Sequence, residues 1–177
     1  MNAITNVTPP AWIKTAANAL LFQLCWVACV IGGNDWALPS LLLMIVCQLV
    51  WITEQERLYP QAVAILPLIS AGIIFDTGLL HVGLLSFSQH DSIIIPFWLM
   101  ALWMAFAFTL HHSLAAIVKR PVLAALFGGL GAPWSYFLGS KLGSITVNEQ
   151  GLIIIGIFWA LLLFIFSHFQ QRGDHDE

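Results

Sequence analysis

One acidic side chain, Asp76, lies well inside an apolar run, in the stretch Ile73-Ile74-Phe75-Asp76-Thr77-Gly78. Hydrocarbon imposes a cost of about 2.5–3.5 kcal/mol on a central aspartate, so this carboxyl must face protein or a wet cavity. A group kept at that cost is a functional-site candidate, weighed against hydrogen bonding that only glues helices together. A second polar set lies in the fourth apolar run. There Ala101, Ala105, Thr109, Ser113 and Ala116 follow helical spacing, with His112 three residues after Thr109. Small side chains permit close helix contact, and Thr109, Ser113 and His112 supply hydrogen bonds. His111 is turned about 100° from His112, so the two cannot address one target. His112 is the candidate of the pair, set beside the plainer reading of a satisfied structural histidine.

The fifth run places Ala124, Gly128, Gly131, Ala132, Ser135 and Gly139 along one side, a small-residue packing seam. Pro133 lacks the N–H that would bond the Gly129 carbonyl, so a kink is expected there, with Ser135 and Tyr136 directly after it. Counting about 1.5 Å per residue, Asp76 falls about 6 Å to the outer side of its helix midpoint. Ser135 and Tyr136 share that level, and His81 lies further out. Asn18, Gln48, Thr109 and His112 fall roughly 6–10 Å to the inner side, with Gln23 near the middle. Asp76 and His112 are then about 15 Å apart along the membrane normal, too far for a dyad. Thr77 and His81 share a face, whereas Asp76 and His81 do not. Two polar layers are expected rather than one catalytic centre.

The elements that carry these residues follow from composition. The chain has 177 residues, 59% hydrophobic and only 8% charged, against roughly 25% charged in a soluble domain. Six apolar runs recur, at about 15–33, 36–52, 61–84, 93–117, 121–139 and 151–169. Each approaches or exceeds the ~20 residues that cross a ~30 Å hydrocarbon layer as a helix. Their apolarity on every face argues against the alternating pattern of a membrane barrel. The expected fold is an all-α bundle of six transmembrane helices, forming one membrane domain.

Orientation follows from the cations. Lys14, Arg57, Lys119, Arg120 and Arg172 fall on one side and Lys141 alone on the other, which places both termini in the cytoplasm. Trp12, Trp36, Trp51 and Trp98 fall near the ends of runs, where interfacial anchors belong. Val27-Ala28-Cys29 resembles a lipoprotein cleavage site, but Trp26 stands where a small aliphatic is expected, and an uncleaved first helix is the better reading. The tail 170–177 reads as disordered. No internal repeat stands out, although a divergent one between two three-helix halves is compatible with the pattern.

Several function classes drop out. Six basic residues and a net charge of -3 do not suit a nucleic acid partner. Cys25, Cys29 and Cys47 have no zinc spacing and read as small buried apolar residues. Neither a metal nor a cofactor is expected, and there is no phosphate-cradling loop, no Gly-x-Ser-x-Gly elbow and no His-Glu-x-x-His.

The ordered set of short segments resembles domain-of-unknown-function family 2878, a family of bacterial inner-membrane proteins. The resemblance rests on Asn18, Phe22-Gln23 and Trp26, on Asp76 with Gly78-Leu79-Leu80, and on Gly83-Leu84-Leu85-Ser86-Phe87. It continues through Pro96-Phe97-Trp98-Leu99, Leu102-Trp103, Thr109-Leu110-His111-His112-Ser113-Leu114, Ala132-Pro133-Trp134-Ser135-Tyr136 and Leu142-Gly143. It implies an integral membrane protein without an assigned activity, and the company its genes keep with fatty-acid-modifying enzymes implies a role near lipids.

Three functions remain in play: a lipid-modifying enzyme or accessory factor, a proton-coupled transporter, and a non-catalytic scaffold. Membrane lipids are the expected partners, with other membrane proteins second. A polar cavity shared by Asp76 and His112 would favour the first two. Separate helix contacts would favour the third.

Overall fold

The computed structural model describes residues 10–52, 58–88 and 91–173. The helices appear in the order α1 (Ala11–Cys47), α2 (Leu58–His81), α3 (Phe97–Ala107), α4 (Ala115–Val118), α5 (Pro121–Lys141) and α6 (Glu149–Gly173), and a π-helical turn, Gln48–Ile52, extends α1. Among the described residues, four helices are long and apolar enough to cross a membrane, and α3 is a shorter apolar helix.

The first helix is two arms. Gly33 has φ 57 and ψ -141, outside the helical region, and the chain reverses there. A straight helix would hold Cys25 and Ser40 about 22 Å apart at 1.5 Å per residue. Instead Cys25 Sγ lies 3.5 Å from Ser40 Oγ, and Asn18 Nδ2 donates to Gln48 Oε1 at 3.0 Å. Runs 15–33 and 36–52 are therefore the antiparallel arms of one hairpin. Positive φ at the turn is why glycine stands there.

The fourth run corrects the sequence reading. It is not one helix over 93–117, because α3 ends at Ala107 and the backbone passes through turns before the short α4. Ala101 and Ala105 are buried on α3, but Thr109 and Ser113 belong to the turns, so the expected small-residue stripe does not continue past Ala105. Turn-forming backbone at this depth is tolerated where protein covers it. Thr109 and Leu110 are both buried.

The fold is all-α, as expected, with one small ribbon between helices. Two three-residue strands, β1 (Leu85–Phe87) and β2 (Ile145–Val147), pair antiparallel with Ser86 opposite Thr146. The ribbon, the Gly33 turn and the start of α3 meet at one end of the bundle. Trp98 N donates to Asn34 Oδ1 at 3.0 Å, and the Ser144 hydroxyl donates to the Val30 carbonyl. At the other end, the Ser167 hydroxyl donates to the Val118 carbonyl, and Gln171 Nε2 donates to the Lys119 carbonyl. The apolar segments thus run alternately up and down, with the start of α1 and the end of α6 on the same side.

A short unit recurs in the chain, a helix end, a glycine and a strand: the end of α2 with β1 matches the end of α5 with β2. Gly83 and Gly143 both have positive φ, 72 and 81, and close their helices with the same bonds. Gly83 N reaches Leu80 O and Leu84 N reaches Leu79 O; Gly143 N reaches Ser140 O and Ser144 N reaches Gly139 O. Each strand then begins two residues on, with one inside–outside pattern. The Ser86–Thr146 pair is the local two-fold of the ribbon, since Leu85 opposite Val147 maps onto Ile145 opposite Phe87. Asp76 and Tyr136 each lie seven residues before their glycine, and both are buried.

Trp12 and Trp36 are exposed as anchors should be, but Trp98 is buried against Phe87, ring centroids 5.8 Å apart, and the side chain of Trp51 falls outside the described residues. Residues 170–173 belong to α6, and 174–177 fall outside the described residues. Pro133 sits within an unbroken α5. The Gly129 carbonyl it leaves without a donor lies 3.0 Å from where a Cβ would stand on Gly156 of α6, so the close helix approach covers it.

Candidate functional site

Asp76 is fully buried on α2. Its Oδ2 accepts a hydrogen bond from Trp103 Nε1 of α3 at 2.7 Å, and the Tyr136 hydroxyl of α5 lies 2.7 Å from both carboxyl oxygens. Three helices therefore meet at one carboxyl, whose desolvation is offset by two strong donors. Trp103 in turn stacks on Trp159 of α6, with centroids 4.4 Å apart and planes 13° apart. Gly72 leaves room for this arrangement, since a Cβ there would stand 2.2 Å from the Trp103 ring.

In front of this group lies a cavity of about 320 Å³, within the range of small-ligand pockets. Arm one of α1, α3, α5 and Trp159 enclose it, and Tyr136 and Trp103 form the wall that separates it from Asp76. Gln23 and Ser135 add polar atoms, and Ser135 Oγ accepts from Trp26 Nε1 at 2.8 Å. Phe127 and Trp134 line it as well, and Trp134 is 61% exposed, so apolar side chains form the rim towards the outside of the bundle. Gly131 lines the cavity at an exposed position, where a Cβ would meet nothing within 4 Å. Gly128, one turn away, instead packs on the Trp159 backbone carbonyl, 2.6 Å from a Cβ position. The seam expected on the fifth helix is thus split between a helix contact and an open face.

Among the described residues, Thr77 Oγ1 is buried without a hydrogen-bond partner. Trp159 lines the cavity, but its Nε1 is itself buried and lies beside the Tyr136 hydroxyl, whose oxygen can accept from it while its proton goes to Asp76.

The inner polar group is built from different residues. Asn18 is fully buried. Its Nδ2 donates to Gln48 Oε1 at 3.0 Å and to the Phe108 carbonyl at 3.2 Å, while its Oδ1 accepts from Ser113 N at 3.2 Å and Ser113 Oγ at 2.7 Å. An amide has two donors and two acceptor positions, and all four are used. Thr109 Oγ1 bonds the Phe106 carbonyl at 2.6 Å and closes the end of α3. Asn18 thereby secures the break in the fourth run from a position 90 residues earlier in the chain.

Of the candidates named from sequence, Asp76, Tyr136, Ser135 and Gln23 gather at the outer site, and Asn18, Thr109 and Ser113 at the inner one. His81 is exposed at the end of α2. His112 is half-buried in the turn after α3, and His111 lies 3.4 Å from Gln170 Nε2. Neither Asp76 nor His112 lines the cavity, so no shared Asp–His centre forms. The indoles of Trp26, Trp103 and Trp159 were not singled out for chemistry. A signal was present: Trp103 and Trp159 fall inside apolar runs rather than at their ends, and an indole buried there needs an acceptor. Among the described residues, no three His, Cys, Asp or Glu side chains gather as metal ligands would.

The family described as "Protein of unknown function (DUF2878)" matches residues 15–165, and its span includes every residue of both polar groups. No curated protein and no solved structure matches the chain.

Proposed function

The chain belongs to this family of unknown function, and we propose that it is an inner-membrane protein of bacteria that binds a lipid-derived amphiphile between its helices. In this reading the hairpin arms, α2, the broken α3–α4 segment, α5 and α6 make six crossings. The side bearing Lys14, Lys119 and Arg120 faces the cytoplasm, where positive charge concentrates. The observation that carries the proposal is the cavity: apolar and aromatic over most of its wall, rimmed by exposed apolar side chains, and backed by Tyr136 and Asp76. Such a shape accepts an apolar chain from the bilayer and offers its polar end a few fixed hydrogen-bonding groups. Binding, rather than catalysis by an Asp–His pair, is the chemistry these positions support. The bound molecule can be the substrate of a neighbouring enzyme, for which this chain would act as an accessory factor.

Comparative lipidomics of a strain lacking the gene tests this. A changed class of lipid, restored by the wild-type gene and not by Gly131→Leu at equal abundance, is the expected result. An unchanged profile in growth and under oxidative stress would count against it.

A proton-coupled carrier is the second reading, favoured by the recurring helix–glycine–strand unit, with Asp76 and Tyr136 hydrogen-bonded between its two copies. Repeated units recur in carriers, with sites at their contact. It expects Asp76→Asn to alter the pH dependence of any uptake phenotype at normal abundance; a pH-independent phenotype would sink it.

A further inference from the structure

The cavity is a slot that runs along the helices. The hairpin packs on α3 and α5 packs on α6, whereas arm one of α1 and α5 barely touch. The cavity fills the gap between them, which the hydrogen bond from Trp26 Nε1 to Ser135 Oγ crosses. Its long axis follows α5, whose lining residues run from Phe127 to Leu138, about 16 Å at 1.5 Å per residue. Acyl chains of a bilayer lie along the same direction, so one can slide in sideways without turning. Gln23, Phe127 and Trp134 are exposed on the open side.

Volume and length together set how much chain fits. About 320 Å³ over about 16 Å leaves a mean cross-section of about 20 Å². A methylene occupies about 30 Å³, close to a water molecule's share of its liquid. An extended chain advances about 1.25 Å per carbon, the projection of a ~1.5 Å bond at a tetrahedral angle. One chain thus needs a cross-section of about 24 Å², which matches the slot and leaves no place for a second beside it. The volume holds about eleven methylenes and the length about thirteen. Three walls end alike at the inner side, where the last lining residue is Phe22 on arm one, Phe106 on α3 and Phe127 on α5. Phe22 and Phe106 meet edge to face, with centroids 6.0 Å apart.

We propose that the cavity holds a single apolar chain of about eleven to thirteen carbons, its end against the three phenylalanines. The ligand is then a single-chain lipid rather than a diacyl phospholipid. The inference rests on the cavity-binding reading and gives it a chain number and a chain length.

Bromine quenches tryptophan fluorescence at contact, and Trp26, Trp103, Trp134 and Trp159 line the cavity as reporters. The full chain in lipid nanodiscs would be titrated with methyl esters of six, eleven and sixteen carbons, brominated at the chain end. Each is scaled to its partitioning into protein-free nanodiscs. The eleven-carbon probe, methyl 11-bromoundecanoate, should give the tightest saturable quenching. Six carbons leave a void and forfeit contacts, and sixteen overrun the closed end, so each should bind at least about fivefold more weakly. A diacyl phosphatidylcholine brominated on its chains should quench without saturating. Phe127→Ala opens the inner end and should narrow the gap between the sixteen- and eleven-carbon esters to about twofold. An unchanged gap in that variant removes the assigned inner end; where the variant does not accumulate, the wild-type series carries the test. A sixteen-carbon ester as tight as the eleven-carbon one in the wild type, or saturable quenching by the phosphatidylcholine, overturns the single-chain assignment while the cavity reading stands. No saturable quenching by any probe removes both.

Discussion

The two polar groups inside this bundle differ in what adjoins them. Around Asn18 every donor and acceptor of the amide is used, and the Phe108 carbonyl and Ser113 N–H of the break after Ala107 are taken up by it. Around Asp76 the carboxyl is satisfied as well, but a cavity lies against the Tyr136 and Trp103 that hold it. A closed network rigidifies and specifies a fold. One that backs onto open space can also face a ligand. Burial alone does not separate the two, since Asn18 and Asp76 are both fully buried. The cavity does.

The largest effect should come from Asn18→Leu. It keeps the branching at Cγ but takes their partner from the Phe108 carbonyl and both Ser113 groups, at a cost of at least about 3 kcal/mol when each loss is about 1–3 kcal/mol. Thermal melting in detergent should fall sharply, with little folded protein recovered. A stable Asn18→Leu protein that has lost ligand binding would reverse the roles of the two regions. Asp76→Leu comes next: it leaves the Trp103 and Tyr136 donors without their acceptor, costing about 2–4 kcal/mol in the same assay. Both variants should destabilise, but only the second changes the shape of the cavity wall.

Gly128→Ala should cost about 1–3 kcal/mol by overpacking, because the Trp159 carbonyl that it meets is backbone and cannot swing away. It sharpens the contrast within α5, where the helix contact at Gly128 and the open face at Gly131 are three residues apart. Tyr136→Phe should be the mildest, about 1 kcal/mol, since Trp103 still holds Asp76. Its melting temperature should drop by only a few degrees.

Much of this was legible in the chain itself. Runs of apolar residues near the bilayer length mark the segments, and a lone Asp76 among them marks the outer group. Counting residues along each helix separated Asp76 from His112 before any coordinates. What was hidden has physical reasons. The break after Ala107 is made by Asn18, a contact across 90 positions, whereas the local pattern through Thr109 and Ser113 reads as helix. Strands of three residues are too short for an alternating pattern to register. The recurring unit shows in its two glycine caps, while the side chains at matching places, such as Asp76 and Tyr136, differ. The buried indoles of Trp103 and Trp159 are hidden because tryptophan in a membrane chain reads first as an interfacial anchor.

The central claim, that the outer region is a binding site and the inner region is structural, is tested most directly at Gly131. Its missing Cβ opens onto the cavity and touches nothing, so Gly131→Leu fills the space without displacing the helices. The measurement is a titration of Gly131→Leu with methyl 11-bromoundecanoate, followed by tryptophan quenching beside the wild-type protein. Saturable quenching in the wild type and its loss in Gly131→Leu, at an unchanged melting temperature, is the predicted result. Equal quenching in both proteins would contradict the claim.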